Sequence, residues 1–194
     1  MQYEIMIQVY SFPLERLMQQ TNWYVITGAP SSGKTAVINA LEQQGYPVVH
    51  EVARNYIDKE LKKGKHIGQI KADILLFERH ILNKKVEIEK SLPKDAPFFL
   101  DRAVPDSIGY YILEGLSPDE PIKKSMKVRY KKIFLFERIA FEKDDVRSEN
   151  DEIAAKLNRI LKKSYQMLGY GIISVPLLSI DDRVDFILKR LNQN

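Results

Sequence analysis

Short apolar segments alternate with amphipathic helical patterns from residue 23 onward. Five segments rich in β-branched and aromatic side chains predict buried strands at residues 23–27, 47–50, 97–101, 132–136 and 172–175. Between them, apolar residues at helical spacing predict helices at 34–44, 51–63, 67–90, 104–114, 118–130, 151–168 and 180–191. Apolar strands separated by helices are typical of a parallel sheet covered on both faces. The pattern therefore predicts an α/β fold with a five-stranded parallel sheet.

The first twenty residues lie outside this alternation. Two interpretations of them remain open: residues 3–10 form an additional edge strand and residues 13–20 a short helix, or Met18 is the biological start. From residue 21 to residue 194 no linker, repeat or low-complexity tract interrupts the pattern. We therefore expect residues 1–20 to be an N-terminal extension and residues 21–194 to form one domain.

The composition limits the chemistry of this domain. The chain contains no cysteine, which excludes disulfide bridges, thiolate zinc sites and a cysteine nucleophile. Its three histidines, His50, His66 and His80, are too scattered for a histidine-rich metal site. A metal in this protein is therefore expected to have oxygen ligands, which favours Mg²⁺.

The charge balance is mildly positive, with 30 Lys and Arg against 26 Asp and Glu. This excess suits an anionic small molecule as well as nucleic acid. In the basic cluster at residues 127–132, Tyr130 is the one aromatic residue, which favours a solvated face over a nucleic-acid surface. No segment is long and apolar enough for a membrane span, and the first residues lack a signal-peptide pattern. We therefore expect a cytoplasmic protein without a membrane partner.

A complete G-x-x-x-x-G-K-[ST] motif follows the first predicted strand. Its residues are Gly28, Ala29, Pro30, Ser31, Ser32, Gly33, Lys34 and Thr35. The two glycines allow a tight turn whose backbone N–H groups surround a phosphate, and the next helix directs its positive end at the same group. The lysine of such a motif contacts the β- and γ-phosphates, and the hydroxyl binds Mg²⁺. The motif therefore predicts binding of ATP or GTP with Mg²⁺.

Ionisable residues follow two further strands at the edge of the sheet where ligands bind. Glu51 and Arg54 follow the second strand, where a role in the site and an ordinary surface pair at i, i+3 are both open. Asp101 ends the third strand, where it would hold Mg²⁺ or accept a proton from an acceptor hydroxyl. A helix cap or a salt bridge with Arg102 is the structural alternative for Asp101.

Residues 138–150 are charged and irregular. A lid that closes over a nucleotide needs mobility and a positive tip, which Lys143 and Arg147 would supply. A solvated loop explains the same composition equally well.

Six segments between residues 22 and 190 carry a resemblance to a known family. They are ITGAPSSGKT (26–35), GYPVVHEVAR (45–54), FLDRAVPDSIGYY (99–111), EKDDVRSENDE (142–152), GYGIISVP (169–176) and DRVDFIL (182–188). With these segments the chain resembles small P-loop ATPases classed as an AAA-type ATP-binding domain, which are similar to the ribosylnicotinamide-kinase domains of NAD-salvage proteins. The resemblance implies a three-layer P-loop NTPase fold like that of nucleoside and nucleotide kinases, with the phosphate-loop strand in the middle of the sheet.

The resemblance also implies roles for individual residues. These are substrate binding by Glu51 and Arg54, magnesium binding or base catalysis by Asp101, a phosphate or acceptor clamp at Arg102, a lid arginine at Arg147 and an adenine border at Pro176. We find no sensor or arginine-finger segment of the ring-forming AAA machines, which argues against a hexameric motor.

Together, the motif and the resemblance predict a phosphotransferase. In that reaction Lys34 holds the triphosphate, Thr35 and an acid position Mg²⁺, Glu51 or Asp101 orients the acceptor hydroxyl, and Arg102 and Arg147 neutralise the charge that develops. The expected acceptor is a small metabolite such as a nucleoside or nucleotide-like molecule. The alternative is a nucleotide-dependent switch that hydrolyses ATP slowly and has no small-molecule acceptor.

Overall fold

A five-stranded parallel sheet forms the centre of the molecule. The computed structural model describes residues 18–137 and 149–191. Within these ranges the strands are β1 (Gln19–Gln20), β2 (Tyr24–Thr27), β3 (Val48–Val49), β4 (Phe99–Asp101), β5 (Val128–Arg129), β6 (Lys132–Phe136) and β7 (Ile172–Val175). The helices are α1 (Lys34–Gln43), α2 (Val52–Lys62), α3 (Ile67–Ile70), α4 (Ile74–Ser91), α5 (Asp106–Leu113), α6 (Asp119–Ser125), α7 (Glu149–Met167) and α8 (Ile180–Leu188).

The central sheet has the strand order β3-β4-β2-β6-β7, and every neighbouring pair is parallel. The strand that leads into the phosphate loop, β2, therefore lies in the middle. Because all five strands run the same way, their carboxyl ends meet at one edge. The predicted α/β fold with a five-stranded parallel sheet is confirmed.

Alternate side chains of the central strands supply two cores, one on each face. Trp23 and Val25 pack on one face with side chains of α5, α6 and α7. Tyr24 and Ile26 pack on the other face with side chains of α1 and α8. Since successive residues of a strand point to opposite faces, this division produces the three predicted layers.

Two predicted helices are shorter than their sequence pattern suggests. The helix expected at 67–90 is two helices, because the Asp73 side chain accepts the N–H of Leu76 at 2.9 Å and caps a new start at α4. The helix expected at 118–130 ends at Ser125, and strand β5 follows it. Strand β5 pairs with β1 in a separate parallel ladder of two residues each, which is too short to give a periodic pattern.

The N-terminal part of the described chain packs against the domain. Met18 is buried, and the Thr21 hydroxyl donates to the carbonyl of Arg129 at 2.9 Å. The edge strand expected at residues 3–10 lies outside the described residues, and the domain boundary after residue 20 stays a prediction. Among the helices described, none has the length and apolar character needed to cross a bilayer.

Candidate active site

The phosphate loop connects β2 to α1 through a tight turn that needs glycine. Gly28 has a φ of 138°, and a Cβ there would lie 2.9 Å from the carbonyl oxygen of Phe136. Gly33 has a φ of 85° and precedes the first residue of α1. Ser31, at the turn between them, also has a positive φ of 60°. The backbone therefore folds in the way that the motif predicts, since glycine adopts these conformations without steric strain.

Lys34 lies folded against this loop. Its side chain is buried, and Nζ donates to the carbonyl of Ala29 at 2.7 Å and to the hydroxyl of Ser32 at 3.2 Å. Burial, followed by the positive charge of Arg102, lowers the pKa of Lys34 to about 7. Thr35 is exposed on the wall of the adjoining cavity. The loop thus has an amine at its centre and a hydroxyl that is open to a ligand.

Two side chains from the C-terminal part of the chain support the loop from outside. The Asn158 side-chain oxygen accepts the N–H of Ala29 at 2.9 Å, and Nη1 of Arg183 donates to the carbonyl of Ser32 at 2.9 Å. Neither residue was a sequence-based candidate. For Arg183, its place in the DRVDFIL segment of the resemblance could have indicated a role in the site. Asn158 is an ordinary polar position of an amphipathic helix, and nothing in the sequence pattern indicates such a role.

A cavity of about 830 Å³ lies beside the loop. Residues 30–36 line it together with Glu51 and Arg54, at the start of α2, and Arg102, directly after β4. The apolar side chains of Ile57, Phe77 and Ile81 form another part of its wall. The structure thus brings the phosphate loop and the predicted substrate-side residues to one cavity.

Arg102 is held in one orientation at this cavity. Its backbone has a φ of 67°, which is rare for a residue with a side chain, and its N–H donates to the carbonyl of Ile26 at 3.0 Å. Nε donates to Glu51 at 3.0 Å, and Nη1 donates to Asp106 at 3.3 Å. The guanidinium also lies 5.3 Å from the ring centre of Tyr110. Glu51 therefore pairs with Arg102, and the structure shows no ion pair between Glu51 and Arg54 among the described residues.

Asp101 is buried at the carboxyl end of β4, and its Oδ1 has no hydrogen-bond partner among the described residues. Burial, together with the negative charge of Glu51, raises the pKa of Asp101 to about 6. The helix α5 is preceded by Pro105 rather than by Asp101, and the described salt bridges of Arg102 go to other carboxylates. The two structural alternatives for Asp101 are therefore not seen, and an unsatisfied carboxylate oxygen beside a phosphate loop suits a hard cation.

Two charged residues of α4 are buried in the cavity wall, and sequence reasoning missed both. Burial raises the pKa of the Glu78 carboxyl and lowers the pKa of the Lys85 amine. Lys85 Nζ donates to the hydroxyl of Ser107 at 3.2 Å. Glu78 and Lys85 are seven residues apart on the same helical face as Ile81. Two charges on an otherwise apolar face could have indicated that they belong to a site.

The structure does not place Pro176 at this cavity. Pro176 is half-buried after β7 and is not part of the cavity wall. Arg147, together with the rest of the expected lid, lies outside the described residues.

The chain matches a known protein family over most of its length. A family model described as an AAA domain matches residues 23–183. A search of curated proteins gave no significant match.

Several solved structures share the fold at low sequence identity. The NadR protein in complex with NR has a TM-score of 0.64 and 16% identity, and the match covers 99% of this chain and 60% of that one. Thymidylate kinase from Ehrlichia chaffeensis has a TM-score of 0.62 and 13% identity, with 90% of this chain and 100% of that one covered. Deoxyadenosine kinase from M. mycoides has a TM-score of 0.59 and 15% identity, with 88% and 98% covered.

These similarities show the fold, and the family match covers most of the chain. They confirm the resemblance drawn from the six sequence segments. The chain belongs to this AAA-domain family, and its fold is that of the P-loop kinases.

Proposed function

We propose that this protein transfers a phosphoryl group from a nucleoside triphosphate to a hydroxyl group of a small acceptor. The observation that carries the proposal is the shared cavity. The phosphate loop lines it together with a carboxylate, Glu51, and two arginines, Arg54 and Arg102. Phosphoryl transfer depends on donor and acceptor being held side by side with charge stabilisation between them. A site built for a triphosphate alone has no need of this second group of residues.

The donor is bound by the phosphate loop in this proposal. Backbone N–H groups of residues 31–35 surround the phosphates, and the Lys34 amine exchanges its contact with Ala29 for the β- and γ-phosphates. The Thr35 hydroxyl and Asp101, whose Oδ1 has no hydrogen-bond partner among the described residues, would hold Mg²⁺. When bound, this ion supplies positive charge to the phosphate oxygens. Pro176 is proposed to border the nucleotide base, and Arg147 to close over the phosphates.

The acceptor is oriented by Glu51 and the two arginines. Glu51 is part of the cavity wall and keeps a partly exposed side chain, whereas Asp101 is almost wholly buried and does not line the cavity. Glu51 is therefore the better candidate for the base. It accepts the proton of the acceptor hydroxyl, the acceptor oxygen bonds to the γ-phosphorus, and the bond from phosphorus to the β–γ bridging oxygen breaks. Arg102 neutralises charge that develops on the transferred group.

The experiment that tests this function measures ATP and GTP consumption against a panel of nucleosides, nucleotides and vitamins. One strong stimulator, recovered as a phosphorylated product, is the expected result. Failure of every acceptor, with slow basal hydrolysis, would favour the nucleotide-dependent switch. Lys34→Ala is expected to abolish detectable triphosphate binding, and retained affinity would overturn the site assignment.

The role of the base has a matched control in the same chain. Glu51 accepts Nε of Arg102 at 3.0 Å, and Glu120, outside the cavity, accepts Nε of Arg79 at 3.0 Å. Glu51→Gln is expected to lower acceptor-dependent turnover by about 100-fold, the contribution of a general base, and Glu120→Gln by less than about twofold. Asp101→Asn is expected to reduce turnover while nucleotide affinity is kept. Normal turnover in the Glu51 variant would remove Glu51 from the mechanism.

A further inference from the structure

We propose that Asp106 is a positioning residue that holds the guanidinium of Arg102 in place for phosphoryl transfer. The inference rests on the proposed function for the role of Arg102, but the positioning itself stands on contacts of the described residues. Asp106 opens α5, and nothing in the motif analysis or the comparisons gives it a role.

Asp106 is fully buried, and its carboxylate accepts four hydrogen bonds. The Thr27 hydroxyl donates to Oδ1 at 2.5 Å, and Nη1 of Arg102 donates to the same oxygen at 3.3 Å. The hydroxyl of Tyr165 donates to Oδ2 at 2.5 Å, and the N–H of Ala103 donates to Oδ2 at 2.9 Å. Both oxygens are therefore satisfied, and the carboxylate has one position in the fold.

The surroundings of Asp106 keep it charged. Burial works against the ionised form, but the positive charges of Lys85 and Arg102 and the hydrogen bonds from Ala103 and Thr27 hold its pKa below the ordinary value. Asp106 is therefore an anion at neutral pH. This anion is hydrogen-bonded to one buried cation of the cavity wall, Arg102, and interacts electrostatically with a second, Lys85.

Arg102 depends on such support because its backbone is strained. A φ of 67° on a residue with a side chain is sterically strained, and it persists only where contacts fix it. Glu51 holds Nε and Asp106 holds Nη1, so the guanidinium is fixed from two sides. If either carboxylate is lost, the planar guanidinium of Arg102 can rotate about its remaining hydrogen bond.

The other donors connect this carboxylate to the phosphate loop. Thr27 is the last residue of β2 and directly precedes Gly28 of the loop. Tyr165 belongs to α7, the helix whose Asn158 binds the N–H of Ala29. Asp106 therefore fixes Arg102 relative to the loop that holds the donor.

The test is Asp106→Asn, with Glu89→Gln as the matched control. Glu89 is also a buried carboxylate that accepts a backbone N–H, from Val104, and a tyrosine hydroxyl, from Tyr130, but it does not contact Arg102. Asn keeps Oδ1 as an acceptor for Thr27 and Arg102 but removes the negative charge that faces the guanidinium, so the phosphate loop is disturbed little and we expect the affinity for a non-hydrolysable ATP analogue to change by less than about threefold. Turnover is expected to fall by about 100-fold, as for a misplaced catalytic group.

A spectroscopic readout separates positioning from general damage. The Nε–H signal of Arg102 in ¹H–¹⁵N spectra is assigned by its absence in Arg102→Lys. In Asp106→Asn this signal is expected to shift and its hydrogen exchange to speed up about tenfold, while Glu89→Gln leaves it unchanged. The signal needs no acceptor, so it decides the positioning of Arg102 even if the phosphotransferase proposal fails.

Two outcomes would overturn the inference. One is an unchanged Arg102 signal in Asp106→Asn, whatever the turnover. The other is an equal loss of turnover in Glu89→Gln, which would mean that any buried carboxylate of this region matters as much. If Asp106→Asn does not fold, Asp106→Ser keeps a hydroxyl beside Thr27 and leaves room for water next to Arg102, and the same two readouts apply to it.

Discussion

Binding of a triphosphate is expected to return a proton to Lys34. The amine is buried, and its hydrogen bonds to the described residues go to the carbonyl of Ala29 and the hydroxyl of Ser32. Burial, followed by the positive charge of Arg102, lowers its pKa to about 7. At pH 8 about nine-tenths of a group with this pKa is neutral. Phosphates at the loop place negative charge beside the amine, which favours the ammonium form and raises its pKa again.

The number of protons taken up on binding follows from the change in the pKa of Lys34. If the pKa of Lys34 returns to its ordinary value of 10.5 in the complex, binding at pH 8 takes up about 0.9 proton. The direction of the pH dependence follows: affinity is highest at a pH below the pKa of Lys34 in the free protein, and it falls as the pH rises through that pKa. Between pH 7 and pH 9 the dissociation constant of an ATP analogue is expected to rise by about 50-fold.

Titration calorimetry measures this uptake directly. A non-hydrolysable ATP analogue is titrated at pH 8 in two buffers of different ionisation enthalpy, and the difference in heat gives the number of protons bound. Lys34→Arg is the control, since arginine stays charged at every pH used and contributes no uptake. Equal heats in the two buffers for the wild-type protein, with binding intact, would mean that the buried amine is already charged and would refute the reasoning.

Two further predictions concern the shape and support of the phosphate loop. Gly28→Ala is expected to lower the free energy of unfolding by about 3 kcal/mol or more, because its Cβ would meet a backbone oxygen at 2.9 Å as well as strain φ. Gly115→Ala, with a φ of 72° and open space around it, is expected to cost only about 1–2 kcal/mol in the same urea titration, and equal losses would contradict the clash. Arg183→Met, which removes the bond to the carbonyl of Ser32, is expected to weaken ATP-analogue binding by about tenfold in a fluorescence assay. Arg190→Met removes a similar bond from an arginine farther along the chain and should leave that affinity unchanged.

Much of the fold was predictable because its strands and helices are regular. The strands at 132–136 and 172–175 have the predicted bounds, since uninterrupted apolar runs between turns leave little choice. The break before α4 depends instead on one side chain, Asp73, whose cap outweighs a continuous apolar period. Strands β1 and β5 are two residues each and are defined by their pairing, which no local pattern reports.

In the candidate site, too, some residues are indicated by the local sequence and others depend on contacts between distant parts of the chain. The phosphate loop is local in sequence, so its motif specifies both residues and shape. Glu51 and Arg102 were candidates because parallel strands bring their carboxyl ends to one edge. Asp106 and Arg183 were not assigned a role, because their importance comes from hydrogen bonds to residues 79 and 151 positions away. Contacts of that span arise from packing, and a single sequence carries no local sign of them.

The support of the phosphate loop by Arg183 has a consequence for how the protein matures. During synthesis the loop leaves the ribosome early, while the arginine that braces it is made more than 150 residues later. A partly made chain therefore has the complete motif but lacks a brace for its loop. Nucleotide, when it binds, stabilises the arrangement in which the C-terminal helix is docked. High affinity for nucleotide is thus expected only after α8 has docked against the loop, although the motif itself is complete much earlier in synthesis.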